Sequence, residues 1–178
     1  MAMKEFYFVR HGQTDHNILE AHEKKNLSQD ISINETGKNQ AATIEPVIAR
    51  LSIQIVCASP LKRAQETKNI IAARLKANHL VINDFGECSA EIWKELTRHG
   101  TLSPIPEQGK AREFIERVQN GMNLALSQTG TPLIVAHGGV HWAICYLLGI
   151  QNHDWAIDNC AIVHFSIDEH NRWNASKL

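Results

Sequence analysis

Short apolar runs separated by longer stretches of helical periodicity set the frame of this chain. Phe6 to Val9 is aromatic and β-branched and stops at Arg10-His11-Gly12, as a buried strand does when it hands the chain to a polar loop. Asn34-Glu35-Thr36-Gly37 leads into Gln40 to Leu51, where Ala41, Ile44, Val47, Ile48 and Leu51 recur on one helical face. Ile53 to Cys57 reads as a second strand. Ser59-Pro60 reads as a helix start, with a serine cap and proline at the first helical position, and Leu61 to Lys76 as the helix. Leu80 to Ile82 is a candidate third strand, and Pro106 to Ser127 contains a helix with Phe114, Ile115, Val118, Met122 and Leu126 on one side. Pro132 to Ala136 is a fourth strand, closed by His137-Gly138-Gly139 and followed by an apolar helix to Leu148 with Gly149 as its stop. Ala161 to Ile167 and Arg172 to Ala175 read as strands around a polar turn at Asp168 to Asn171, and Arg98 to Gln108 reads as a surface loop.

This alternation predicts an α/β fold, a three-layer sandwich whose mixed, mainly parallel sheet is covered by helices on both faces. Residues 1–178 are the length of one ordinary domain, and a single domain is expected. Ligands of such sheets bind at the carboxyl ends of the strands. Arg10-His11, Ser59 to Arg63 and His137-Gly138 all fall at such ends, so residues distant in sequence are expected to share one crevice.

Composition narrows the partners. A net charge of -1 provides no broad attraction for a nucleic-acid backbone or an anionic membrane, so a small molecule is the expected partner. No apolar run reaches membrane-spanning length, and the start of the chain lacks the pattern of a secretory signal, which leads us to expect a cytoplasmic protein. Cys57, Cys88, Cys145 and Cys160 form no C-x-x-C pair and are expected to be reduced thiols.

A phosphate dianion needs fixed cationic donors, and arginine presents a planar fork to two oxygens at once. Arg10 and Arg63 are the candidates, each arriving just after a strand. A neutral imidazole is nucleophilic near pH 7, and His11, between Arg10 and Gly12, is the candidate nucleophile. Gly12 is expected to let the backbone approach a phosphate closely. His137 stands at a helix start followed by Gly138, so its ring and the free amides beyond it are candidate oxyanion donors.

Val9-Arg10-His11-Gly12-Gln13-Thr14 with Asn17, Ser59-Pro60-Leu61-Lys62-Arg63-Ala64-Gln65-Glu66-Thr67, and Val135-Ala136-His137-Gly138-Gly139-Val140 resemble, in order, the signatures of the histidine phosphatase superfamily, or phosphoglycerate mutase-like family. Weaker matches at Thr36-Gly37, Glu116-Arg117-Val118 and Asp158 to Ile162 extend the resemblance over nearly the whole chain. The resemblance implies a phosphoglycerate mutase-like fold and transfer of a phosphoryl group to His11, with Arg10, Arg63, His137 and Asn17 binding its oxygens and no metal or cofactor. It also implies a carboxylic acid that protonates the leaving oxygen. The spacing to Trp93 and Leu96 favours Glu87, while the register of Phe85-Gly86 leaves Asp84 as an alternative. Mutase-like members carry a longer insertion between the acid and the second histidine, so the short interval here predicts an open pocket and net hydrolysis of a phosphomonoester. Mutase-like transfer and a catalytically weak phosphate-binding module are the alternatives.

Two other patterns compete. Cys57 to Arg63 matches the C-x-x-x-x-x-R spacing of cysteine-dependent phosphatases, but Pro60 lacks an amide and no glycine relaxes the turn, so Cys57 is expected in the core. His137 and His141 are four apart on a helix, yet no third ligand follows, and His141 is expected at the pocket edge or surface. Trp142, Trp155 and Trp173 are expected to pack in the core or at an interface. Substrate choice is assigned to the segments Glu20 to Ile31 and Ser89 to Gln108. A phosphoprotein substrate stays possible, and the oligomeric state is unassigned.

Overall fold

The computed structural model describes residues 3–19, 30–99, 105–150 and 157–178. The strands are β1 (Phe6–Arg10), β2 (Ile55–Ala58), β3 (Asn78–Val81), β4 (Pro132–Ala136), β5 (Ile162–Ile167) and β6 (Trp173–Lys177). They form one sheet in the order β3-β2-β4-β1-β5-β6. The β3, β2, β4 and β1 strands run parallel, and β5 and β6 complete the sheet antiparallel, so the sheet is mixed and mainly parallel as expected.

The period of two along each strand divides the core. Phe6 and Phe8 of β1, Cys57 of β2 and Ile134 of β4 face a cluster with α5 (Lys110–Ser127) and α6 (Gly138–Leu147). Val9, Val56, Leu133 and Val135 face the other cluster with Ala41 and Ile48 of α2 (Glu35–Ile48) and Ile71 of α3 (Lys62–Ile71). Phe6 stacks on Phe165 of β5 at 4.6 Å between ring centroids, which ties the antiparallel edge to the parallel centre. Helix α2, between β1 and β2, thus covers one face and α6, after β4, the other. Since β1 and β4 are neighbours, the gap between their carboxyl ends is the topological switch point of the sheet.

Several boundaries differ from the expectation. Helix α2 begins at Glu35 because Asn34 is its cap, accepting the Gly37 amide at 2.9 Å. Ser59-Pro60 is not the start of α3. The Ser59 amide still continues the ladder to the Val135 carbonyl, Leu61 is the cap residue, and the freed Lys62 amide is taken by the Asp30 carboxylate at 2.6 Å. Helix α3 stops at Ile71, short of Lys76, where the chain turns to pair Asn78 with Ile55. Two helices were not expected: α1 (Asp15–Ile18), a single turn, and α4 (Ala90–His99). Arg98 therefore belongs to α4 and not to a loop. Residues 20–29 and 100–104, in the segments to which substrate choice was assigned, and Trp155 lie outside the described residues. Among the described residues no helix is long and apolar enough to cross a membrane.

Candidate active site

The switch point gathers the residues singled out in sequence. His11 follows β1, and its amide extends the parallel ladder to the Ala136 carbonyl at 2.9 Å, which sets it beside His137 at the end of β4. The two rings are 5.2 Å apart between centroids, and both are buried. Arg63, in the first turn of α3, directs Nε to His11 Nε2 at 3.3 Å. Arg10 lies on the same side of β1 as Phe6 and Phe8, near the start of α6, with one guanidinium nitrogen donating to the Ile157 carbonyl.

The tautomer of His11 follows from its neighbours. Its Nδ1 stands 2.8 Å from the Gly12 carbonyl, which can only accept, so Nδ1 carries the hydrogen and Nε2 keeps its lone pair. Burial holds the imidazole far below its usual range, at about 3, and the Arg63 and Arg10 cations add to this against the pull of the Gly12 carbonyl. His137 is likewise held well below its usual value by burial and then by Arg63, His11 and Arg10. The His137 ring is therefore neutral in this state. Its Nε2 is 2.7 Å from the Ser59 hydroxyl, while its Nδ1 and Arg10 Nε are buried polar atoms without a protein partner. Two orphaned nitrogens beside His11, one of them a guanidinium donor, fit a site built for an anion.

Glu87 follows the 3-10 turn Asn83–Phe85 and is partly buried against the start of α6. Its carboxyl accepts the Cys88 amide at 3.0 Å and the Gly139 amide at 3.3 Å. Burial raises its pKa above the ordinary carboxylate value, although the two amides and the Arg63 charge pull it down. Gly139 is required by this approach, because a Cβ there would lie 2.4 Å from Glu87 Oε1 and 2.6 Å from Cys88 Sγ. Asp84 packs on the opposite side of the turn, with its Cβ close to Gly121 of α5, and its carbonyl accepts from Arg117 at 2.9 Å. Ile82 is buried. Of these positions, the geometry brings Glu87 to the site.

Asn17 is exposed, and its Oδ1 is committed to the Thr14 amide at 2.9 Å and the Asn159 amide group at 3.4 Å, which leaves its Nδ2 as the donor. Gly138 opens α6, and a Cβ there would meet Arg10 Nε no closer than 3.9 Å. Gly12 also meets a packing demand that the sequence did not suggest. A side chain there would strike the Gly37 carbonyl at 2.6 Å, so the glycine serves the close packing of the His11 loop on α2.

Sequence reasoning missed three residues that hold the site together. Thr67 Oγ1 accepts the Gly12 amide at 2.9 Å and donates to the Arg63 carbonyl at 2.7 Å, locking the α3 arginine to the His11 loop. Asn159 donates to the His11 carbonyl at 2.8 Å, and Ser59 faces His137. All three lie within the segments that carry the resemblance, which was their available signal. His141 is corrected: it is buried, with ring centroids 5.3 Å from Phe8 and 5.9 Å from Phe165, because α6 presents that face to β1 and not to solvent. Cys57 is wholly buried in the core, and burial pushes its thiol up to about 12. Trp142 is buried and stacks on Tyr146, and Trp173 is tilted against Phe6.

The family model of the histidine phosphatase superfamily (branch 1) matches residues 6–177, and the chain belongs to that family. It is similar to agropine synthesis reductase of Rhizobium rhizogenes, with 33% identity over 172 residues, covering 90% of this chain and 39% of the relative. With a second form of that reductase the share is 40%, so the chain spans about two-fifths of the length of these relatives. It is 32% identical to the Bacillus subtilis protein named uncharacterized phosphatase PhoE, over 76% of this chain and 72% of that one. A mycobacterial glucosyl-3-phosphoglycerate phosphatase shares the fold at a TM-score of 0.71, covering 97% of each chain at 19% identity.

Proposed function

We propose that the chain hydrolyses a phosphomonoester through a phosphohistidine on His11, without a metal ion. The observation that carries this reading is the neutral, buried His11 whose Nε2 lone pair faces Arg63 Nε at 3.3 Å, with the orphaned donor Arg10 Nε and the orphaned Nδ1 of the neighbouring His137 ring beside it. Phosphoryl transfer asks chiefly for positioning and for compensation of charge on the equatorial oxygens. Arg10, Arg63 and His137 bind those oxygens, with Asn17 Nδ2 and the amide of Gly138 as further donors, and arrival of the dianion favours a protonated His137.

In the first step the Nε2 lone pair attacks phosphorus in line with the ester oxygen, the P–O bond breaks, and the leaving oxygen takes the proton of Glu87. The Gly12 carbonyl stabilises the positive ring by holding its Nδ1 hydrogen. In the second step the Glu87 carboxylate takes a proton from water, the water oxygen bonds to phosphorus, and the P–N bond returns its electrons to Nε2. Alcohol and inorganic phosphate leave, and Glu87 is again protonated, as its raised pKa favours. The test is release of p-nitrophenol from p-nitrophenyl phosphate between pH 5 and 8. Wild type turns over and His11→Ala does not; equal rates for the two would refute the reading.

A further inference from the structure

The phosphate end of the site opens into a cavity of about 380 Å³ lined by Arg10, Glu87, Gly138 and Gly139 on one side and by Cys88, Ala90, Trp93 and Ile157 beyond them. This volume lies within the range of ligand clefts, roughly 300–1,000 Å³. Glu87 stands on its wall. If Glu87 protonates the leaving oxygen, the alcohol part of the ester must occupy this space, because that oxygen is covalently attached to it.

The chemistry of the wall is selective. Among its described residues the charged groups are Arg10 and Glu87, and catalysis engages both of them. Past them the wall consists of a thiol, a methyl group, the half-buried indole of Trp93, the Ile157 side chain and one hydroxyl, that of Ser89. Arg117 lies behind the acid turn, bonded to the Asp84 carbonyl and 4.9 Å from the Phe114 ring centroid, and it does not line the cavity. A carboxylate on the alcohol would lose its hydration and find, among the described residues, no cation on this wall beyond Arg10, which the phosphate engages. A flat apolar ring would gain contact with the indole and release water.

We propose that the Trp93-walled cavity is the subsite for the alcohol and selects phosphomonoesters of uncharged, ring-bearing alcohols over those carrying a carboxylate. This rests on the phosphatase reading above and names its substrate class. Helix α4, which projects Ala90 and Trp93, is the specificity element, anchored on the core through Leu96.

The test compares benzyl phosphate, O-phosphoserine, 3-phosphoglycerate and glycerol 3-phosphate, all esters of primary alcohols, with wild type, Trp93→Ala and Trp93→Phe. Wild type is expected to favour benzyl phosphate over the two carboxylate-bearing esters by at least about tenfold in kcat/KM. Trp93→Ala should lose about tenfold on benzyl phosphate, mostly through KM, and stay within about twofold on glycerol 3-phosphate, while Trp93→Phe retains the preference. Wild-type preference for a carboxylate-bearing ester, or an equal loss on every ester in Trp93→Ala, would overturn the subsite. Calorimetric titration with benzylphosphonate and 3-phosphonopropionate, which cannot be hydrolysed at the C–P bond, separates the two readings. Tighter binding of benzylphosphonate by a protein that cleaves no ester would refute the phosphatase and keep the subsite; equal binding by an active enzyme would do the reverse.

Discussion

Gly139→Ala isolates the acid from the rest of the machinery. The added Cβ would stand 2.4 Å from Glu87 Oε1 and 2.6 Å from Cys88 Sγ, so relief to ordinary contact moves the carboxyl by about 1 Å. That movement breaks the 3.3 Å bond from the Gly139 amide and carries the acid away from the leaving oxygen. A positioned general acid contributes roughly 10²–10⁴-fold, and a displacement of this size forfeits much of it. We expect kcat on an alkyl phosphate to fall about 100-fold, equivalent to about 2.7 kcal/mol of barrier. With p-nitrophenyl phosphate, whose leaving oxygen needs little protonation, kcat/KM, which reports the first step alone, should fall by less than about tenfold, against about 100-fold for the alkyl ester. The fold should survive, since alanine suits a helix better than glycine. Steady-state rates on both esters, with thermal melts alongside, measure this. An equal loss on the two esters, or wild-type rates on the alkyl ester, would refute the placement of Glu87 as proton donor.

The buried imidazoles make a stability prediction. His11 and His137 are neutral in the fold, whereas the unfolded chain protonates them as the pH drops through about 6.5. Between that value and about 3 for His11 the unfolded state holds the extra proton, so folding stability is lost on acidification by about 1.4 kcal/mol per pH unit for each group. Urea unfolding at pH 7, 6 and 5 should show the steeper decline in wild type and a shallower one in His11→Ala; parallel lines would contradict the assignment. Cys57→Ser should keep wild-type kcat, because the thiol is wholly buried in the core, and any fall in stability should appear only in its melting temperature.

The parallel layers were legible because β1, β2 and β4 are buried on both faces and read as uninterrupted apolar runs, each ending in polar residues. Pro132 to Ala136 matched to the residue for that reason. Helix α4 was not legible: only Leu96 among its described side chains is buried, so Ala90 to Arg98 reads as polar sequence although Trp93 walls the cavity. Ser59-Pro60 misled because a serine before proline resembles a cap, while here the serine hydroxyl serves His137 and Asp30 from elsewhere caps the helix. His141 misled through proximity to His137, since one further helical turn carries the side chain from the crevice into the core. Of the candidate residues, Arg10, His11 and His137 were legible through position at strand ends, and Arg63 through the segment after β2 that carries the resemblance. Thr67 and Asn159 act through backbone groups of the His11 loop, and such contacts leave no periodic trace in a sequence.

The central claim is that Nε2 of His11 is the atom that accepts the phosphoryl group, because Nδ1 is bound to the Gly12 carbonyl. Rapid alkaline quench of the protein with ³²P-labelled phosphomonoester, followed by peptide mapping and identification of the phosphohistidine isomer, tests it most directly. We predict alkali-stable, acid-labile label on His11 as the Nε2 isomer and none on His11→Ala. Label on Cys57, Ser59 or Nδ1 of His11, or turnover by His11→Ala at the wild-type rate, would contradict the account.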